Sequence, residues 1–318
     1  MKDFGSRLHT VGLVPTLLAV GAVVFLAAAR APSTTLTWQL VTTTVNQLGT
    51  TGALAVSILG IAIAVTLQPL QFRFVQLLEG YWPIGRRGLI FRAGVRVQHS
   101  RYQRLQKRLV SHAIPRNTGE LRATSERMQS AETRLRERFP DPERLLPTSL
   151  GNVLRSAEDR VGRRYGLESV TIWPRLFPLL PADLRAAIED EVTQLDVSAR
   201  LALTWSGAAT AATIIMLNDA SAALAHPAWL AVVAGLWLLG WLSYLSAVES
   251  ALAHGQDIEV ALDLHRGLVI EAMRLPPPPR LSQERRIFRR LCRLFQTYEA
   301  GHSIEFDYLI NERRVNGK

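Results

Sequence analysis

Lysine is nearly missing from this chain. Lys2, Lys107 and Lys318 are the only three among 37 basic residues, and arginine supplies the rest of a net charge of +10. Cysteine is scarcer still: with Cys292 alone in 318 residues, neither an intramolecular disulfide nor a cysteine-only metal site can form. The seven histidines, His9, His99, His112, His226, His254, His265 and His302, include no i,i+4 pair and no metal-ligand spacing to cysteine or carboxylate. No metal and no cofactor is therefore expected. The most consequential absence is of charge in long stretches. Residues 11–29 carry none, and residues 201–248 carry only Asp219.

A helix rises 1.5 Å per residue, so about 20 apolar residues cross roughly 30 Å of hydrocarbon, where a charge at the centre costs about 3 kcal/mol. Residues 201–217 and 228–248 are of that kind and are joined by a short loop holding Asp219, which predicts a transmembrane hairpin. Residues 11–29 form another span. A cleaved signal peptide is the rival reading there, because Lys2 and Arg7 precede the run and the small residues Ala29 and Ala31 follow it. Residues 31–51 are threonine-rich, uncharged and read as extracytoplasmic, with Trp38 at the interface. Residues 52–70 make the remaining span, which Pro69 kinks without ending, the apolar character persisting to Gly80.

Between residues 86 and 185 the chain carries 21 basic and 10 acidic side chains. An excess of arginine beside membrane spans marks the cytosolic side, and this reading displaces nucleic acid as the reason for the basic charge. Helices are expected over 89–110 and 118–139, the second capped by Thr118. The block LPTSLGNVLRSAEDRVGRRYGLESVTIWPRLFPLLP (146–181) begins with Thr148 or Ser149 as a cap. It continues with a helix whose apolar positions Leu150, Val153, Leu154, Ala157 and Val161 follow the 3.6 period and which should stop near Gly162. The proline-punctuated aromatic run after it must be covered by other helices or by the membrane. Together with QPLQFRFVQLLEGYWP (68–83) and GQDIEVALDLHRGLV (255–269), this block resembles a group of uncharacterised multi-span membrane proteins of actinobacteria and cyanobacteria. The resemblance implies no activity and no site residues.

From Asp183 no glycine or proline intervenes before Gly207, so one helix of about 35 residues should run into the third span. The fourth span likewise continues along Ile258, Leu262, His265, Val269 and Met273 as far as the prolines 276–279. The last helix, 282–300, with Ser282 as cap and Gly301 as stop, sets Ile287, Phe288, Leu291, Leu294, Phe295 and Tyr298 on one face and Arg285, Arg286, Arg289, Arg290 and Arg293 on the other. The apolar face can dock on the cytosolic domain, or the helix can rest on anionic lipid headgroups.

Candidate sites are few. Glu189, Asp190 and Glu191 point in three directions around a helix and read as a solvated face. The GRRG turn at 85–88 can receive a phosphate headgroup or serve as an ordinary basic flank. Thr204, Ser206, Thr210 and Thr213 either line a narrow pore in an oligomer or bond back to their own helix. Ala53, Ser57, Gly60 and Ala64 share one face of the second span, where small side chains let backbones approach; such residues are also simply common in spans. The spans hold no Asp, Glu, Lys, Arg or His, which disfavours proton-driven pumps and ion-coupled carriers.

The sequence thus predicts an all-α integral membrane protein with four transmembrane helices and a cytosolic helical domain. The expected divisions are an N-terminal membrane hairpin (1–80), a cytosolic helical insert (81–200), a second hairpin (201–248) and a cytosolic C-terminal region (249–318). The expected location is the bacterial plasma (inner) membrane with both termini cytoplasmic. The expected partners are the bilayer, anionic headgroups and further copies of the chain, without nucleic acid. The expected role is that of a non-catalytic oligomeric scaffold or sensor. An oligomeric channel or pore-forming effector of stress or defence is the alternative, and an enzyme acting at the membrane ranks third.

Overall fold

In the computed structural model, which describes residues 2–82, 88–112 and 121–296, helices make up the fold and no strand occurs among the described residues. In chain order they are α1 (Lys2–Ala28), α2 (Trp38–Leu67), α3 (Gln71–Glu79), α4 (Leu89–His112), α5 (Leu121–Arg138), α6 (Ser149–Tyr165), α7 (Ser169–Leu176), α8 (Ala182–Asn218), α9 (Ala220–Ala225), α10 (Pro227–His265), α11 (Gly267–Ala272) and α12 (Leu281–Gln296). They divide into two compact units, Met1–Pro83 with Thr193–Ser250 and Ile84–Val192 with Ala251–Lys318. The expected cap Thr118, the stop at Gly301 and residues 85–87 of the GRRG turn lie outside the described residues.

Among the described residues three helices are long and apolar enough to cross a membrane: α2, α8 and α10. α1 contributes a shorter apolar stretch, Leu13–Ala28. α2 begins at Trp38, well before the expected start of its span, because Thr37 Oγ1 accepts from Leu40 N and the hydroxyls of Thr42 and Thr43 bond back to helix carbonyls. The backbone then breaks at Gly49 (φ 52°, ψ −162°), a conformation that favours glycine. At Pro69 the α-helix tightens into a 3-10 turn, Gln68–Leu70, and resumes as α3, which closes on the left-handed Gly80.

α1 packs along α2, and the two come close at Gly60, where an added Cβ would stand 2.5 Å from Leu17 Cδ2. α8 and α10 cross as closely at Gly240, where an added Cβ would stand 2.7 Å from Ser206 Oγ and 3.2 Å from Ser206 N. One end of the first unit is closed by Trp229, fully buried among Leu26, Ala209, Ala212 and Leu236, with its indole N–H donating to Thr34 O at 2.6 Å. The loop between the last two spans contains α9, whose N-terminus Asp219 caps by accepting from Ala222 N. The outward surfaces stay apolar: α2 buries only Thr44 and Gly60, leaving Leu54 and Ile58 about two-thirds exposed.

The second unit is built on the core formed by Val161, Ile172, Leu176, Ile188, Leu262, Phe288 and Leu291. α6 is capped by Thr148, whose hydroxyl accepts from Gly151 N; Ser149 instead receives Gln98 and Arg101 from α4. The helix does not stop at Gly162. It runs on to Tyr165 and turns at Gly166 (φ 66°), after which the chain doubles back so that Leu167 N bonds to Gly162 O. Gly162 is thus required for close approach, since an added Cβ would meet Leu167 O at 2.8 Å. Asn152, fully buried, holds both backbone groups of Leu146 through its amide, which leaves neither end of that pair unsatisfied.

The proline-rich run folds as α7 and a 3-10 turn, Phe177–Leu179, and buries Ile172 and Leu176. α10 ends at His265 and α11 continues the stripe with Val269 and Ile270 buried. α12 begins at Leu281, so Ser282 lies inside its first turn and Arg280 O accepts the first amides; the expected cap is two residues out of register. Phe288 and Leu291 are fully buried in the shared core, while Arg285, Arg286, Arg289, Arg290 and Arg293 are exposed. The apolar face of α12 is therefore occupied by protein.

Candidate functional site

Ion pairs cluster along the polar side of α6. Its apolar side buries Leu150, Val153, Ala157 and Val161 at helical spacing, which turns Asp159, Arg160, Arg163 and Arg164 toward other elements. Arg164 reaches Glu259 at 2.7 Å and Asp263 at 2.6 Å, both on α10, and Arg160 Nε lies 3.3 Å from Glu259. The Tyr165 hydroxyl donates to Asp263 at 2.7 Å, the Arg266 guanidinium stacks 3.9 Å over the Tyr165 ring, and Arg266 Nε donates to Glu284 of α12 at 2.6 Å. α6, α10 and α12 are thus joined through one network of arginines and carboxylates. An exposed pair contributes about 0.2–1 kcal/mol by itself, and shared partners make a network the stronger arrangement.

One residue before Arg164, in the last turn of α6, Arg163 Nη1 donates to both oxygens of Asp141, at 2.7 and 2.6 Å. This pair stands between two cavities. One, of about 470 Å³, is walled by Tyr102, Arg136, Phe139, Arg160 and Arg164. The other, of about 440 Å³, is walled by Arg144, Glu158, Asp159 and Glu168. Both fall in the usual range of small-molecule sites, roughly 300–1,000 Å³. The first, with its guanidiniums beside the edge-to-face pair Tyr102 and Phe139, has the chemistry to take a flat anion.

The second holds two perturbed acids. Burial lifts Glu158 above its ordinary 4.5, against Arg155 and Arg144. Burial also lifts Asp159, whose Oδ1 pairs with Arg144 at 2.5 Å and whose buried Oδ2 has no hydrogen-bond partner among the described residues. Raised carboxyl pKa values occur both at acid–base sites and in structural networks. Ser169, which carries the hydroxyl lining this cavity, donates it to Glu158 O at 2.9 Å.

A folded chain that binds these protons more tightly than the unfolded chain has stability that is fully present below the unfolded pKa values and is lost as pH rises through the folded ones. Glu158→Gln removes one such titration while keeping the shape. Thermal unfolding between about pH 4 and 8 should therefore find the variant more stable than the wild type at neutral pH, with the difference closing toward pH 4.5, the ordinary glutamate value. A variant less stable at neutral pH would mean that Glu158 is needed there as an anion.

The other residues singled out from the sequence are dispersed. Thr210 and Thr213 donate back to Ser206 O and Ala209 O, and Thr213 also receives the Trp237 indole. Ser206 faces Gly240, whereas Thr204 lines a groove of the first unit. Gly60 meets Leu17 of the same chain, Ser57 bonds back to Ala53 O, Ala64 lines a small cavity and Ala53 is exposed. Among the basic residues of α12, Arg285 donates to Arg164 O, and Arg289 and Arg293 bond back along the helix. Glu189 and Asp190 are exposed and Glu191 is half-buried. Among the described residues no group of three histidine, cysteine or carboxylate side chains is placed to hold a metal.

Sequence reasoning missed the α6 network and the pair Glu158 and Asp159. The signal for both was the charged side of the amphipathic helix at 149–165; the partners Glu259 and Asp263 lie 95 and 99 residues away along the chain. The chain matches no protein-family model, no curated protein and no solved structure.

Proposed function

We propose that this chain is a non-catalytic protein of the bacterial inner membrane, with four spans and both termini cytoplasmic, that acts as an oligomeric scaffold or sensor. Three helices of sufficient length and apolarity support the membrane assignment. The exposed apolar surface of α2 supports it too, since water would not tolerate Leu54, Ile58, Leu59, Ile61 and Val65 side by side on one helix. The case for α1 as the fourth span, retained and not cleaved, is that Leu26 and Ala29 belong to the cluster around Trp229.

The observation that carries the scaffold or sensor reading is the network joining α6, α10 and α12. Its arginines are committed to carboxylates that hold helices together, and an anion entering the adjacent cavity would compete for them. A sensor needs an element with two arrangements that a ligand can bias, and this network supplies the candidate. The exposed faces of the apolar helices are the surfaces left for contact with further copies.

Reconstitution tests the proposal. The chain should stay with vesicles through alkaline extraction, sediment as an oligomer in detergent and pass no ions above protein-free vesicles. Release by alkali would overturn the membrane assignment. An ion current would replace the scaffold with the pore, in which the residues around Thr204 would be the first to substitute.

A further inference from the structure

In the first unit an open-sided groove runs between α1, α2 and α8. Two cavities of about 330 and 220 Å³ share Thr16, Leu67, Leu203 and Thr204 in their walls and so form one slot. The longer arm is walled by aliphatic side chains, among them Val20, Leu59 and Ile63. The shorter arm reaches Phe74 and Leu77 of α3 and ends at Arg200. Arg200 directly precedes the uncharged run of α8 and is half-buried. Among the described residues its guanidinium has neither a hydrogen bond nor an ion pair; Asp196, one turn earlier, influences it without closing on it. The hydroxyl of Thr204, one turn later on the same face, also has no hydrogen bond among the described residues, although those of Thr210 and Thr213 bond back to the helix.

A cation drawn partly out of water without a counter-ion is costly, and a guanidinium is matched in shape to a phosphate. An aliphatic slot that terminates in such a group at the edge of an uncharged run has the polarity of one lipid molecule. We propose that the groove binds a single glycerophospholipid with an anionic headgroup: an acyl chain along Val20, Leu59 and Ile63, the phosphate on Arg200, and the glycerol ester oxygens at the Thr204 hydroxyl. This rests on the first unit lying in lipid, which alkaline extraction tests separately.

The test titrates the full chain in mild detergent with phosphatidylglycerol or phosphatidylcholine and counts retained lipids by native mass spectrometry. The wild type should keep one phosphatidylglycerol, at least about tenfold more tightly than phosphatidylcholine, because the choline cation of the latter offsets the charge that its phosphate brings to the guanidinium. Arg200→Gln should retain one lipid but bring that preference to within about twofold. Gly207 lines the groove, and a Cβ added there meets nothing within 4 Å. Gly207→Phe should therefore fill the slot and lose both lipids while melting like the wild type. Equal retention of the two lipids by the wild type overturns the proposal, and that comparison decides even where a variant fails to fold. Unchanged retention by a folded Gly207→Phe also overturns it. A lipid-independent dimer that Gly207→Phe dissociates would replace the lipid with a second copy.

Discussion

Phe288→Asp should abolish the folded state of the second unit. Phe288 is fully buried in the cluster that contains Ile172, Leu176, Leu262 and Leu291. Truncating a buried phenylalanine costs about 3–5 kcal/mol, and a carboxylate left without a partner in that space adds several more. The total reaches the whole stability of an ordinary domain, about 5–15 kcal/mol. Hydrogen exchange should find the amides of α6 and α12 unprotected in the variant. Arg289→Ser on the opposite face of α12 should change stability by no more than about 0.5 kcal/mol, since Arg289 is exposed and its Nε donates only to Arg285 O, one turn back. Wild-type protection in Phe288→Asp would remove α12 from the core and return its apolar face to the lipid surface.

Gly240→Leu should separate α8 from α10. A Cβ at position 240 falls 2.7 Å from Ser206 Oγ and 3.2 Å from the Ser206 backbone nitrogen, and the longer side chain has no route past that backbone. Overpacking of this kind costs about 1–3 kcal/mol in a soluble core. Between spans the consequence is larger, because lipid tails solvate leucine as well as another helix does and the attraction comes from close contact itself. Gly235 on the same helix is the control: a Cβ there meets nothing within 4 Å, so Gly235→Leu should leave the melting temperature in detergent near that of the wild type. Equal melting of both variants and wild type would mean that the crossing at Ser206 is not a point of attachment.

The difference between these glycines marks how far the sequence could be read. Long uncharged runs are legible because transfer to lipid is an additive, local cost, so the apolar parts of α2, α8 and α10 stand where the composition puts them, although α2 starts at Trp38, well before its expected span. α8 and α10 also extend well past their apolar runs, as the lack of helix breakers before Gly207 and the stripe after Glu249 imply. The amphipathic face of α12 is legible for a similar reason, since its period survives without knowledge of what covers it.

Helix ends are another matter. Gly162 looked like a stop and Ser282 like a cap, yet their roles depend on where Leu167 returns and on Arg280 O. The role of each glycine depends on a neighbouring helix: Gly60 and Gly240 have partners, Gly207 and Gly235 have open space, and although the small-residue face around Gly60 marks that one, nothing in the local sequence separates Gly240 from Gly207 and Gly235. The α6 network was illegible because every member has an unremarkable neighbourhood, and only the fold brings Arg164 to Asp263.

The sole thiol of the chain is shut inside this fold. Cys292 lies on the core-facing side of α12, its sulfur accepts from Glu168 N at 3.3 Å, and burial raises its pKa, so little thiolate forms while the unit is closed. Oxidants meet it only in molecules whose α12 has lifted away. A sulfinic or sulfonic group formed in that interval is charged and irreversible in ordinary chemistry, and burying it again in an apolar core is costly. Each opening under oxidative conditions therefore carries a chance of never closing again, and the lifetime of the protein in such conditions is set by how often α12 lets go.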